Sequence, residues 1–129
     1  MNQNPVQSTI APWLTVGDGD KAVAFYKAAF GAVETYRLPE RAAGIVVRLE
    51  VNGAAFWISS GAVPDAEAQT TLGDDSIRMI LTVADPDTLF NQALNAGATE
   101  IFPVGEGHGW RLGRLMDPFG LHWEIGYQL

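Results

Sequence analysis

The chain has 129 residues, 47% of them hydrophobic and 18% charged, the composition of a globular domain and not of a disordered segment. Its formal net charge of -7 repels phosphate backbones, which argues against a nucleic-acid partner. The absence of cysteine excludes disulfides, thiolate metal sites and a cysteine nucleophile.

Met1 to Thr9 is polar, carries no basic residue and lacks the pattern of a signal peptide. No apolar run approaches the roughly 20 residues that span a bilayer. The expectation is a cytoplasmic protein with no membrane partner. A short apolar strand is expected over 10–16. Asp18 is placed to cap a helix, and Gly31 to end it in the left-handed conformation. Between them Ala22, Val23, Phe25, Tyr26, Ala29 and Phe30 form a buried stripe. Three strands are expected next, near 32–38, 44–51 and 53–59, with Asn52-Gly53 as a two-residue hairpin. Residues 61–75 read as a linker, being rich in Gly, Ala, Asp and Pro.

The second half repeats the first. Leu14-Thr15-Val16-Gly17-Asp18 recurs as Leu81-Thr82-Val83-Ala84-Asp85, and Asn52-Gly53 aligns with Phe119-Gly120 at the same offset. Gly31-Ala32-Val33-Glu34 aligns with Gly97-Ala98-Thr99-Glu100 one residue out of step. Matches in one order indicate a duplicated unit. Asp85 and Pro86 start the second helix, Leu89, Phe90, Ala93 and Leu94 are its buried stripe, and Gly97 closes it. Strands are expected near 98–104, 111–116 and 121–127. The fold class is therefore α+β: tandem βαβββ modules, about 8–60 and 76–129, in one domain with eight strands and two helices.

Two such units, with Phe25-Tyr26 and Phe30-Gly31 in the first and Asp117-Pro118-Phe119-Gly120 at the last hairpin, resemble the vicinal oxygen chelate superfamily. That superfamily includes glyoxalases, bleomycin-resistance proteins and extradiol dioxygenases. Arg111-Leu112-Gly113-Arg114 before the last turn looks most like its PhnB-like branch. The resemblance implies that the strands of each unit curl into a half-barrel and that two halves form a cup. It also implies four inherited metal-ligand positions, which in this chain are Ala11, Trp57, Arg78 and Glu124. Of these only Glu124 can bind a divalent metal, because alanine and tryptophan offer no suitable lone pair and arginine is permanently cationic. No metal and no cofactor are expected, and Arg78 is expected to pair with Glu124 where the metal would sit.

Strand alternation places His122 on the face of Glu124, and Leu121, Trp123 and Ile125 against the helices. A His-x-Glu pair can ligate a metal, do acid–base work, or simply line the cup. His108, in Gly105-Glu106-Gly107-His108-Gly109, is read as part of a flexible loop. Ala11, Trp13, Thr15, Ala55, Trp57, Ser59, Arg78, Ile80 and Thr82 are assigned to the cup by the same alternation. Trp13 and Trp57 suit a planar, partly polar organic ligand, or they fill the cup themselves. Arg111 and Arg114 flank the last turn, where arginines of the similar family border the cup. The expected function is a metal-free small-molecule-binding protein, with Trp13, Trp57, Arg78, Glu124, His122 and Arg111 as ligand contacts. The alternative is a glyoxalase- or dioxygenase-type enzyme using His122 and Glu124. Unpaired strand edges and an open concave face point to a homodimer.

Overall fold

Asp18 accepts a hydrogen bond from the Lys21 N–H at 3.0 Å and so starts α1 (Gly19–Phe30). Gly31, at φ 70, ends it and returns its N–H to the Lys27 carbonyl. The second unit uses the same devices, with Asp85 accepting from Thr88, Pro86 in the first turn and Gly97 past the end of α2 (Pro86–Ala96). The computed structural model describes residues 9–41, 44–60 and 78–129. The linker expected over 61–75 lies outside the described residues.

The strands are β1 (Trp13–Val16), β2 (Val33–Arg41), β3 (Gly44–Val51), β4 (Ala54–Ser60), β5 (Arg78–Thr82), β6 (Thr99–Gly107), β7 (Trp110–Met116) and β8 (His122–Gln128). They form two four-stranded sheets of matching order, β1-β4-β3-β2 and β5-β8-β7-β6. In each, the first strand runs parallel to the last strand of its own unit, and the remaining pairs are antiparallel. The tandem βαβββ architecture expected from the repeat is what the chain adopts.

Two boundaries differ from expectation. β1 begins at Trp13, because Pro12 has no N–H to give to the ladder, although its carbonyl still accepts from the Trp57 N–H at 2.9 Å. The expected loop over 105–109 is mostly strand: β6 runs to Gly107, and His108-Gly109 makes a tight turn at φ 54 and 83. Asn52-Gly53, at φ 50 and 88, closes its hairpin in the same way.

One core serves both units. Leu14, Val16, Val47, Leu49, Phe56 and Ile58 of the first sheet, and Leu81, Leu115, Trp123 and Ile125 of the second, are buried with the stripes of α1 and α2. Phe56 meets Trp123 across the units at 5.6 Å, and Phe30 of α1 lies 4.8 Å from the same ring. The helix-facing sides of both sheets are thus consumed by the core, and the opposite faces carry the polar and half-exposed residues. Among the described residues no helix is long and apolar enough to cross a membrane.

Candidate functional site on the concave faces

On the first sheet, alternation against the buried Leu14, Val47, Leu49 and Ile58 turns Trp13, Thr15, Arg48, Glu50, Trp57 and Ser59 to the open side. Trp13 and Trp57 are register partners, and their rings stack at 5.8 Å with an interplanar angle of 18°. Tyr36 meets the edge of Trp57 at 5.7 Å. The Trp13 Nε1–H donates to Ser59 Oγ at 2.9 Å, which fixes that ring, yet Trp13 stays 54% exposed. The rings pack on each other without closing the face. Beside them Arg48 pairs with Glu50 and donates to Thr35 Oγ1 at 2.9 Å.

On the second sheet, the burial of Leu81, Leu115, Trp123 and Ile125 leaves Arg78, Ile80, Arg114, His122 and Glu124 on the open side. Arg78 Nη1 lies 3.3 Å from Glu124 Oε2, so the expected ion pair is present. Arg114 is the register partner of Glu124, and its Nε–H donates to His122 Nδ1 at 3.0 Å. A ring nitrogen that accepts this bond carries no proton, so His122 keeps its proton on Nε2.

Arg111 is a correction. It was expected at the cup, but it shares the face of Gly113 and Leu115, and a Cβ at Gly113 would strike the Phe90 ring of α2. From that helix side Arg111 grips Asp87 in the first turn of α2, with Nε 2.9 Å from Oδ1 and Nη2 2.5 Å from Oδ2. The Asp87 bonds hold the guanidinium above its ordinary pKa, and the same contact keeps the Asp87 carboxyl below its own. Arg111 ties β7 to α2 and faces away from Arg114 and His122.

Tyr36, Arg48 and Glu50 were missed from sequence. The alternation of Ile45, Val47, Leu49 and Val51 inside, against Arg48 and Glu50 outside, was the signal that could have found two of them. Phe102, Leu112 and Trp110 were also missed. They line a concavity of about 370 Å³ on the second sheet.

The inherited metal positions do not suit a divalent ion. Ala11 is exposed and precedes β1, Trp57 is stacked on Trp13, and the Glu124 carboxylate is already bound by a guanidinium. Among the described residues no cluster of three or more His, Asp or Glu side chains has metal-binding geometry.

A family model described as a glyoxalase-like domain matches residues 13–125. The uncharacterized protein Mb0911c of Mycobacterium bovis is 36% identical over 129 residues, covering 94% of this chain and 84% of that protein. The structure of TioX from Micromonospora sp. ML1 is similar at 25% identity and a TM-score of 0.70, covering 95% of this chain and all of that one. The fosfomycin resistance protein FosX from Listeria monocytogenes shares the fold at 16% identity and a TM-score of 0.71, covering 97% of this chain and 96% of that one. With a model of that kind spanning nearly its whole length, the chain belongs to the glyoxalase-like domain family.

Proposed function

We propose that this is a cytoplasmic, metal-free binding protein that holds a planar, partly polar organic molecule in a cup completed by a second copy of the chain. The observation that carries the reading is Arg78 seated 3.3 Å from Glu124, at two of the four inherited metal positions. A fixed cation there does the charge balancing that a metal does elsewhere, and it would repel a second cation. Trp13 and Trp57 supply a flat aromatic wall, while Arg78, His122 and Glu124 supply polar groups that fix orientation. The segment from Arg111 to Arg114 supports a place in the PhnB-like branch.

What supports a homodimer is what the faces leave open. β1 and β5 each have one strand neighbour among the described residues, and Trp13, Tyr36, Ile80 and Phe102 are exposed on or beside the concave faces. A second copy would cover both features at once.

Acid–base catalysis at His122 and Glu124 is less well supported, since each already binds an arginine. A solved FosX variant from Listeria monocytogenes contains Mn(II) and a dihydroxypropylphosphonic acid. Equilibrium dialysis of the present protein against Mn(II) and Zn(II), with elemental analysis, is the direct test. The expected result is no stoichiometric uptake by the native chain and weak uptake after Arg78→His. One tightly held metal per native chain would sink the proposal and favour the enzyme.

A further inference from the structure

The second concave face has an apolar end with an unusual floor. Gly105 and Gly107 of β6 are the register partners of Leu112 and Trp110 of β7, so a side chain at either glycine would project onto the same face. Neither glycine has the positive φ that demands glycine, and a Cβ built at either meets no atom within 4 Å. Neither backbone conformation nor crowding therefore requires glycine here. What the two glycines do is leave the concavity of about 370 Å³ open over Trp110 and Leu112, walled by Phe102 and Pro103. On its other side Leu112 is the register partner of Gly126 of β8, and its Cβ is 2.5 Å from the position a Cβ there would take.

One charged residue borders this space, and its carboxylate is directed away from it. Glu106 lies between the two glycines and so points to the opposite side, where Arg111 Nη1 stands 3.5 Å from its carboxylate. Glu106 borders the space, but its carboxylate is turned to Arg111, and the remaining side chains there are aromatic or aliphatic, with His108 at the hairpin tip. One step along β7 on the same face stands Arg114, bonded to His122, so the apolar end runs directly into the polar one. Leu112 and Arg114 are two strand rises apart, about 7 Å, the width of an aromatic ring with one substituent.

We propose that Gly105, Gly107 and Trp110 form a stacking subsite for an uncharged planar aromatic ring, whose polar substituent points toward Arg114 and His122. The subsite deepens the binding-protein reading, but it is a separate place from the Trp13–Trp57 wall and stands or falls separately.

The test is titration of the intact protein with 2-naphthol, followed by amide and indole N–H chemical shifts. Decahydro-2-naphthol serves as the non-planar counterpart. The expected result is saturable shifts at Gly105, Gly107 and the Trp110 indole. Gly105→Val and Gly107→Val should each weaken binding by about tenfold or more, and the saturated probe should bind about tenfold more weakly, as loss of a stacked contact implies. Valine suits a strand of ordinary φ, so well-dispersed spectra are expected of both variants. Should either fail to fold, Trp110→Ala carries the test with the same expected loss. Unchanged affinity in these variants, equal binding of the saturated probe, or no saturable binding overturns the subsite. Shifts confined to Trp13 and Trp57 overturn it too, while leaving the wider reading intact.

Discussion

Tyr26 and Asp117, 91 residues apart in the chain, are joined by a hydrogen bond of 2.5 Å in which the phenol donates to the carboxylate Oδ2. The same oxygen accepts from the Trp123 indole at 2.8 Å, and Oδ1 accepts from the Phe119 and Leu121 N–H groups at 2.9 and 3.0 Å. One buried carboxylate thereby fixes the last turn of the second unit and ties it to the helix of the first. Tyr26→Phe removes one donor from a buried acceptor and should cost about 1–3 kcal/mol of stability. Asp117→Ala strands four donors and should cost more. Urea unfolding of both variants checks this order, and a Tyr26→Phe protein as stable as the native one would contradict it.

The same pair sets the alkaline limit. Burial, with the neighbouring Asp117 charge, pushes the Tyr26 phenol well above its ordinary value of 10.0. Its stabilising contribution is complete below about pH 10 and is lost as the pH rises toward the folded-state value. Burial also raises Asp117 above its ordinary value, so ionising this group weakens the fold as pH rises through its shifted value. Among the described residues the carboxylates whose pKa is lowered are Glu34 beside Arg37 and Asp87 beside Arg111, and their contributions disappear as pH falls through those values. Melting temperatures above pH 10 should fall less steeply in Tyr26→Phe than in the native protein. Parallel alkaline limbs would show that another group is responsible.

The Arg78–Glu124 pair is weaker than its position in the sequence suggests. A fully buried pair would make loss of one partner cost several kcal/mol, but here the side chains are 47% and 17% exposed. Water screens the charge on Arg78, and the coupling in a double-mutant cycle with Arg78→Ala and Glu124→Ala should be about 1 kcal/mol or less, favourable in sign. Strictly additive losses would mean that the contact contributes nothing. The pair matters more for keeping a cation off Glu124 than for holding the fold.

Much of this was legible in the sequence, for local reasons. Asp18, Asp85 with Pro86, Gly31 and Gly97 act within one helical turn, and Asn52-Gly53 acts within one hairpin, so residue type alone announces them. The parity of β8 was also readable, because the Asp117–Gly120 turn fixes where alternation begins, and His122 and Glu124 came out on one face. Arg111 went astray because nothing local says whether it or Leu112 faces the helices. Gly113 settles that by admitting the Phe90 ring, a contact between distant segments. Asp117 is legible in the sequence only as part of the last hairpin, since its partner Tyr26 belongs to the other unit. The Trp110 face stayed hidden because His108-Gly109 was read within a loop, when it is a tight turn closing two strands.

The placement of Arg111 makes a clean contrast. Arg111→Ala breaks the grip on Asp87 and leaves the concave faces untouched, so the affinity of any cup ligand should stay within about twofold of native. His122→Ala, on the open face, should weaken a ligand that brings a hydrogen-bond acceptor to its Nε2–H. Calorimetric titration of the two variants with one ligand decides the matter, and an equal loss in both would return Arg111 to the site.

The stacked pair of Trp13 and Trp57 separates binding from stability most sharply. Trp13 is 54% exposed, held by one stacked ring and one hydrogen bond to Ser59, so Trp13→Ala should cost only about 0.5–1.5 kcal/mol for the lost stack. Trp57 sits between Trp13 and Tyr36 and pairs with both β1 and β3, so Trp57→Ala should cost more. For a planar ligand the order reverses in kind. The exposed Trp13 face is the surface a ring can reach, and its loss should abolish most of the fluorescence quenching such a ligand causes. A ligand found by screening planar aromatic compounds should therefore lose affinity in Trp13→Ala while the melting temperature falls by only a few degrees. If quenching and affinity survive in both Trp13→Phe and Trp57→Phe, recognition lies elsewhere, and the stack serves only to build the first sheet.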